Sequence, residues 1–234
     1  MKMVYGPVPS WRLGRSIGVD LISQESKVCP FDCNYCQLGK TEEKTINRGV
    51  FVGTSKIRRD LQVVLAKSDA DIITFSGTGE PTLATNLNEA VETVRGISDL
   101  PIAILTNSSM MFMEDVKKSL AKFDKVVAKL DAPNDEIFQK INQPAFELSY
   151  KKILNGIKRF SKIYNGNLAL QMMFIDDNIK FADEMADIAL EINPDEVQIN
   201  TPTRPCPVQP LRPNQIGEIN KIFEDKGLKT ISVY

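Results

Sequence analysis

The sequence predicts an α/β fold built from about six β-then-α units. Short apolar runs alternate along the chain with segments whose apolar positions recur at helical spacing. Strands that alternate with helices indicate a parallel sheet with helical crossovers. Six units are too few for a closed eight-unit barrel, so an open, partial (β/α)6 barrel or a doubly wound sheet would fit this count.

The first half of the chain contributes three of these units. The predicted strands are residues 17–22, 71–75 and 102–105, of which 71–75 is the apolar, β-branched run typical of a buried parallel strand. The predicted helices that follow them are residues 55–67, 86–96 and 114–123. In the first helix, helical spacing is carried by Ile57, Leu61, Val64 and Leu65.

The second half supplies the other three units and a terminal strand. The predicted strands are residues 126–130, 168–175, 196–200 and 230–234. The predicted helices are residues 148–164, 179–192 and 213–226. One face of the long helix at 148–164 is apolar, with Leu148, Ile153, Ile157, Phe160 and Tyr164. Functional residues are expected in the loops that follow the carboxyl ends of the strands.

Composition excludes several function classes. The chain of 234 residues contains no histidine, which excludes mixed Cys/His zinc sites, Ser-His-Asp triads and histidine acid–base catalysis. Four cysteines in a chain of this length do not indicate a secreted disulfide framework. We see no signal peptide and no apolar run near the roughly 20 residues of a membrane span, so we expect a cytoplasmic protein without a membrane partner.

Charge is unevenly distributed along the chain. Residues 1–60 contain ten Lys or Arg against six Asp or Glu, although the net charge of the whole chain is −1. This basic segment would suit an anionic substrate such as a nucleic acid, and ordinary surface charge is the alternative interpretation.

Three cysteines within eight residues are the most informative local feature. Cys29, Cys33 and Cys36 form a C-x3-C-x2-C run inside the segment 23–54, which is too long for an ordinary loop. Three thiolates suit a four-iron four-sulfur cluster with one open iron. The alternatives are a structural zinc site completed by Cys206, or unrelated free thiols, but zinc sites usually pair two matched C-x-x-C-type motifs.

A glycine-rich segment follows the second predicted strand. It reads Thr74-Phe-Ser-Gly-Thr-Gly-Glu-Pro-Thr-Leu83, with Gly77 and Gly79 able to bring backbone close to a ligand. Glu80 would lie at the end of this strand and face the pocket as a hydrogen-bond acceptor. A plain Gly/Pro turn is the alternative.

The two motifs together resemble the radical S-adenosylmethionine (radical SAM) superfamily. The resemblance rests on CPFDCNYC and SGTGEPT. The further stretches YGPVPSWRLGRSIGVDL, CQLGKT, LTNSS, KLDAP and QINTPTRP resemble the branch grouped with the wyosine-forming tRNA enzymes. The resemblance to the superfamily implies one domain over residues 1–234 with the partial barrel of the radical SAM core. Residues 1–54 would form the N-terminal segment and cluster-binding loop, and residues 201–234 would close the barrel mouth.

The resemblance also implies the cofactors and the residues that hold them. The cofactors would be a [4Fe-4S] cluster and S-adenosyl-L-methionine, with Cys29, Cys33 and Cys36 ligating the cluster. The expected contacts of S-adenosylmethionine are Tyr35 near the adenine, Gly77, Thr78, Gly79 and Glu80 at the amino group, Thr106 and Asn107 at the ribose or carboxylate, and Asp131 at the ribose hydroxyls. The archaeal wyosine synthases carry a second cluster on earlier cysteines, and no cysteine precedes Cys29 here.

Two further residues are candidates for a catalytic role. Lys129 stands where the branch usually has a small hydroxyl residue; it would pair with the methionine carboxylate or form a Schiff base, unless it is a solvated lysine. Cys206, in the proline-rich segment after the sixth strand, would be a radical relay, a substrate thiol or simply a buried, inert apolar residue. Arg12, Arg15 and Arg204 are candidate anion contacts.

The resemblance predicts a radical enzyme with a substrate that the sequence does not name. RNA is the leading substrate class, with tRNA the RNA that this branch indicates. The alternative is that the protein is a radical SAM activase or a peptide-modifying enzyme. A non-catalytic iron–sulfur electron carrier or redox sensor is a competing class, although carriers favour four cysteine ligands per cluster. The enzyme would need an electron donor such as flavodoxin or ferredoxin.

Overall fold

The fold is an open half-barrel. A computed structural model of the chain describes residues 3–234, and its main feature is one eight-stranded sheet that curls on itself. The strands are β1 (Val4–Ser10), β2 (Gly14–Val19), β5 (Ile72–Phe75), β6 (Ile102–Thr106), β7 (Lys125–Lys129), β8 (Asn167–Met173), β9 (Glu196–Asn200) and β10 (Thr230–Ser232). Two very short strands, β3 (Val28–Cys29) and β4 (Glu43–Lys44), form a separate pair.

The strand order decides between the two architectures that the sequence left open. The order is β1-β2-β5-β6-β7-β8-β9-β10, and every neighbouring pair except β1–β2 is parallel. A doubly wound sheet reverses its strand order, whereas this order never reverses. Right-handed crossovers in one direction place the connecting helices on one face, which gives a partial barrel. The α/β, partial (β/α)6 barrel prediction is confirmed.

Seven helices connect the strands. They are α1 (Thr54–Leu65), α2 (Leu87–Arg95), α3 (Glu114–Leu120), α4 (Asp135–Asn142), α5 (Tyr150–Ser161), α6 (Ala182–Ile192) and α7 (Pro213–Asp225). Their apolar faces pack on the sheet; for example, Phe75 of β5 meets Phe123 after α3 edge to face, with ring centroids 5.1 Å apart. Within residues 3–234, no helix has the length and apolarity needed to cross a membrane.

The sequence missed two elements that matter for the site. The antiparallel strand β1 forms a hairpin with β2, and its turn carries Trp11 and Arg12. Helix α4 begins where the side chain of Asn134 accepts a hydrogen bond from the backbone N–H of Ile137 (3.0 Å). It ends at Gln143, whose φ of 44° is left-handed.

Candidate functional site

A cavity of about 510 Å³ opens inside the half-barrel and reaches the carboxyl ends of its strands. Most of the residues singled out in the sequence line it, namely Cys29, Cys33, Cys36, Tyr35, Gly77, Gly79, Glu80, Thr106, Asn107 and Lys129. Thr78, Asp131 and Cys206 are not among its lining residues. The structure therefore brings the cysteine run and the glycine-rich segment together, although about 40 residues separate them in the sequence.

The cysteine loop has almost no regular secondary structure and is held by backbone hydrogen bonds to the end of α4. The N–H of Asn34 donates to the carbonyl of Ile141 (2.9 Å), and the N–H of Ala145 donates to the carbonyl of Pro30 (2.8 Å). Inside the loop, the carboxylate of Asp32 accepts from the N–H of Thr41 (2.7 Å). The end of helix α4 therefore holds the cysteine loop in place.

The three thiols line one cavity, and burial there disfavours the thiolate form of two of them. Burial is the main cause that raises the pKa of the Cys29 thiol, and the negative charges of Cys33 and Glu80 add to it. Burial also raises the pKa of Cys33, while the ammonium of Lys129 acts in the opposite direction. Binding to iron would offset this cost, since a metal deprotonates its thiol ligands.

Two side-chain amides point at the cysteine sulfurs. Nδ2 of Asn107 lies 3.3 Å from Sγ of Cys29, and Nδ2 of Asn142 lies 3.4 Å from Sγ of Cys33. Amide donors of this kind are typical around iron–sulfur clusters, where they stabilise negative charge on sulfur.

The donor set does not form a site for one metal ion. Within residues 3–234, no group of three Cys, Asp or Glu side chains converges closely enough to hold a single ion. A cubane does not require such convergence, because each thiolate binds a different iron. Three thiols on one cavity wall therefore fit a cluster better than a tetrahedral zinc ion.

The glycines of the 77–80 segment allow close packing against this protein's own residues. A Cβ on Gly77 would lie 2.0 Å from Cγ of Asp20, and a Cβ on Gly79 would lie 2.1 Å from the carbonyl oxygen of Val28. Asp20 accepts hydrogen bonds from the N–H (2.9 Å) and hydroxyl (2.8 Å) of Thr78. The glycines thus fix the segment between Asp20 and the strand that carries Cys29, and Thr78 faces Asp20 instead of the cavity.

Glu80 is a buried carboxylate at the cavity wall, with 2% of its surface exposed. Its Oε1 accepts from the hydroxyl (2.6 Å) and N–H (3.0 Å) of Thr82 and from the hydroxyl of Thr106 (2.7 Å). Its Oε2 accepts only from the N–H of Asn107 (2.7 Å). Burial raises the pKa of Glu80, and the hydrogen bonds from Thr106 and Thr82 oppose the shift. Because a carboxylate oxygen can accept more than one hydrogen bond, Oε2 keeps acceptor capacity for a cationic group.

Asp131 has a different environment from the one expected for a ribose contact. Its Oδ2 accepts from the hydroxyl of Tyr35 and from Nδ2 of Asn142 (3.0 Å), and its Oδ1 accepts from the N–H of Met173 (2.9 Å). Lys129 adds an ion pair at 3.5 Å. The carboxylate is buried off the cavity wall and ties the cysteine loop to β7 and β8.

Lys129 faces the cavity, which decides one of the alternatives that the sequence left open. Its ammonium lies 3.5 Å from Oδ2 of Asp131 and 4.5 Å from the centre of the Tyr35 ring. It is the last residue of β7 and is not a solvated surface lysine, since 23% of its side chain is exposed. Cys206, in contrast, is half-buried away from the cavity, where its thiol donates to the carbonyl of Val208 (3.3 Å).

Sequence reasoning missed two residues that organise the site. Asp20 was placed in a predicted strand, yet its carboxylate also accepts from the N–H groups of Ile22 (2.9 Å) and Ser23 (3.0 Å), as in an Asx turn. Asn142 ends a helix that was not predicted. The Asn134-Asp135-Glu136 start of that helix is an N-cap signal that would have revealed it.

Comparison with known families agrees with this geometry. Residues 26–190 match the model of the radical SAM superfamily, whose enzymes use a four-iron four-sulfur cluster and S-adenosylmethionine. A UPF0026 protein of Methanocaldococcus jannaschii is 39% identical over 230 residues, which cover 95% of this chain and 70% of that protein.

Solved structures show the same fold at low sequence identity. SuiB of Streptococcus suis, bound to its precursor peptide SuiA, has a TM-score of 0.71 at 13% identity and covers 93% of this chain. Archaeal TYW1 has a TM-score of 0.64 at 13% identity, over 90% of this chain and 72% of that protein. The chain spans about half of SuiB, 48% of its length. On the match of the family model, this chain belongs to the radical SAM superfamily of enzymes.

Proposed function

We propose that Cys29, Cys33 and Cys36 hold the cluster and that S-adenosylmethionine binds its open iron from the cavity side. The observation that carries this proposal is the cavity itself, which is lined by the three cysteines and by Glu80. The chemistry that these cofactors supply when bound is one-electron reductive cleavage of S-adenosylmethionine, which gives methionine and a 5′-deoxyadenosyl radical for hydrogen abstraction.

Different residues around the cysteines bind different groups of S-adenosylmethionine in this proposal. Oε2 of Glu80 offers an acceptor to the amino group of S-adenosylmethionine, while Thr106 and Asn107 orient that carboxylate. Lys129 offers a cation to the methionine carboxylate, since its ammonium is the positive charge beside Cys33. Its position over the Tyr35 ring and next to Asp131 favours this role over a Schiff base, because both contacts are those of a charge-pairing side chain.

We propose a different role for Asp131 and Tyr35 from the one the resemblance implied. Both are buried, and their hydrogen bond links the cysteine loop to the carboxyl end of β7. They position the loop and do not need to touch the nucleoside. Gly77 and Gly79 stay with Glu80 at the amino group, and the half-barrel interior is left to receive the ribose and adenine.

The substrate and partners remain proposals from the branch resemblance. RNA is the proposed substrate class, and a flavodoxin or ferredoxin is the proposed electron donor. A reducing compartment such as the cytoplasm would keep the three thiols available for iron.

The test is anaerobic reconstitution followed by reduction in the presence of S-adenosylmethionine. We expect about four irons per chain and formation of 5′-deoxyadenosine, measured by chromatography. Cys36→Ser should lose most of the iron, whereas Cys206→Ser should keep it, because Cys206 lies away from the cavity. A zinc-loaded, colourless protein, or equal iron loss in the two variants, would contradict the proposal.

A further inference from the structure

Two arginines face the same cavity from outside the cluster site. Arg12 lies in the turn between β1 and β2, which is at the amino end of β2, whereas the cysteine loop follows the carboxyl end of that strand. Arg204 lies in the segment that follows β9. Neither belongs to the loops that carry the cysteines or Glu80. The two arginines therefore come from segments that carry none of the proposed S-adenosylmethionine contacts.

Neither guanidinium is neutralised. Within residues 3–234, the arginines that form ion pairs are Arg15, Arg48 and Arg95, and neither Arg12 nor Arg204 has a carboxylate at ion-pair distance. In the same part of the chain, the Nε–H of Arg12 is buried without a hydrogen-bond partner. A buried charged donor with no acceptor is costly, so this arrangement is expected where a ligand supplies the acceptor.

Both guanidinium groups are oriented by neutral groups. The guanidinium of Arg12 lies 5.5 Å from the centre of the Trp11 ring, and Nη1 of Arg204 donates to Oε1 of Gln37 (3.1 Å). These contacts hold the side chains in place and leave both positive charges unmatched. The two charges also repel each other: after burial, the charge of Arg204 is the second cause that lowers the pKa of Arg12. An anion bound between them would remove that repulsion.

We propose that Arg12 and Arg204 form a binding site for a phosphate group of the substrate. Guanidinium groups bind phosphate through paired N–H donors, and two of them match the charge of a phosphate better than that of a single carboxylate. This inference rests on the proposed function, because it assigns the rest of the cavity to the substrate once S-adenosylmethionine occupies the cluster side. It narrows the substrate to phosphate-bearing molecules.

The experiment measures binding of inorganic phosphate to the reconstituted full chain by calorimetry, at constant ionic strength. We expect saturable binding to the wild type and a loss of about tenfold or more in affinity in Arg12→Gln and in Arg204→Gln. Arg15→Gln is the matched control. It removes the same charge near the same hairpin, but Arg15 is exposed and paired with Asp71 (2.9 Å), so it should bind phosphate as the wild type does.

The outcomes separate this inference from the proposed function. No phosphate binding by the wild type, or equal affinity in all three variants, would overturn the site. Binding of succinate in place of phosphate, with the same dependence on the two arginines, would overturn the phosphate assignment. Absence of 5′-deoxyadenosine in the wild type would instead count against the proposed function, because phosphate binding is measured without turnover. Arg204 is exposed, so its variant remains informative even if Arg12→Gln folds poorly.

Discussion

At two places along the carboxyl ends of the strands, a buried carboxylate and an asparagine amide face the cysteine loop, yet the two places have different roles. We call the place after β5 and β6 the Glu80 edge and the place after β7 the Asp131 edge. After β5 and β6, Glu80 is paired with Asn107, whose amide reaches Cys29. After β7, Asp131 is paired with Asn142, whose amide reaches Cys33. Each asparagine thus joins a carboxylate to a cluster cysteine. The difference lies in what else the carboxylates contact.

Within residues 3–234, Glu80 accepts hydrogen bonds from uncharged donors only, and it lines the cavity. Asp131 accepts hydrogen bonds from a phenol, an amide and a backbone N–H, forms an ion pair with an ammonium, and is not among the residues that line the cavity. A carboxylate without a cation in the protein can accept one from a ligand. A carboxylate that already has a cation and three hydrogen-bond donors in the protein, as Asp131 has, stabilises the fold. The comparison shows that burial alone does not identify a ligand-binding carboxylate; its remaining acceptor capacity and missing countercharge do.

The largest expected effect is on stability at the Asp131 edge. Asp131→Ala should lower the free energy of unfolding by about 3 kcal/mol, because it leaves Lys129 without its partner and unpairs the buried Tyr35 and Asn142. Iron content after reconstitution should fall with it, since these contacts hold the cysteine loop. Urea unfolding and iron analysis measure both. Asp71→Ala, which removes an exposed carboxylate paired with Arg15, should leave both close to wild type; equal effects in the two variants would refute the positioning role.

The next effect is on ligand affinity at the Glu80 edge. Glu80→Gln keeps the shape of the side chain and its bonds to Thr82 and Thr106. It removes the negative charge offered to the amino group of S-adenosylmethionine, together with the acceptor for the N–H of Asn107. We expect about a tenfold or larger loss of affinity, measured by equilibrium dialysis with the cluster-loaded protein. The loss of stability should be smaller than that of Asp131→Ala. Tight binding retained in Glu80→Gln would mean that the amino group is bound elsewhere.

A third comparison concerns the two amides. Asn107→Ala and Asn142→Ala each remove one N–H donor from a cysteine sulfur, so each should make the reduction potential of the cluster more negative. Asn142→Ala should lower stability more, because it removes a buried donor to Asp131. Asn107→Ala keeps the backbone N–H that contacts Glu80 and, besides the donor to Cys29, loses only the hydrogen bond that its Oδ1 accepts from the N–H of Ser109 (2.9 Å). A redox titration followed by electron paramagnetic resonance measures the potential. An unchanged potential in both variants would show that the amides do not act on the cluster.

The parts of the fold that the sequence predicted are those with local signals. Residues 196–200 were predicted as a strand and form β9 with the same bounds, because the run is apolar in alternation and flanked by helix and proline signals. The strand predicted at 17–22 is β2 at Gly14–Val19 instead. Leu21 and Ile22 are buried without being in a strand, since they belong to the turn in which Asp20 accepts a hydrogen bond from the N–H of Ile22.

The site was predictable only where its signal was local in sequence. The spacing of Cys29, Cys33 and Cys36 and the run ending in Glu80 are short motifs that a single sequence reveals. The contacts of Asp20 with Thr78 and of Asn142 with Cys33 join positions 58 and 109 residues apart, and nothing in either segment alone indicates its partner. The resemblance assigned Asp131 to the ribose hydroxyls, and the sequence does not indicate the hydrogen-bond partners that Asp131 has in the structure, since Tyr35, Asn142 and Met173 come from three other segments.

The smallest expected effect is the pH dependence at the Glu80 edge. Burial raises the folded-state pKa of Glu80 above its ordinary value of 4.5, so the protonated carboxyl is favoured in the folded chain. Its contribution to stability is complete below the unfolded pKa and is lost as pH rises through the folded pKa. The difference in unfolding free energy between wild type and Glu80→Gln should therefore fall from about pH 4.5 upward and then level off.

Asp71 provides the opposite sign as a control, since the hydrogen bond from Arg15 lowers its pKa. The stability that Asp71 contributes is present above the unfolded pKa and is lost as pH falls through the folded one, so the difference between wild type and Asp71→Asn should rise with pH. A flat curve for Glu80→Gln would mean that Glu80 has a solvated, ordinary environment, and a curve that rises as for Asp71→Asn would mean that the pKa of Glu80 is lowered. Its lack of a countercharge, which is the basis for assigning it to a cationic ligand, would then lose its support.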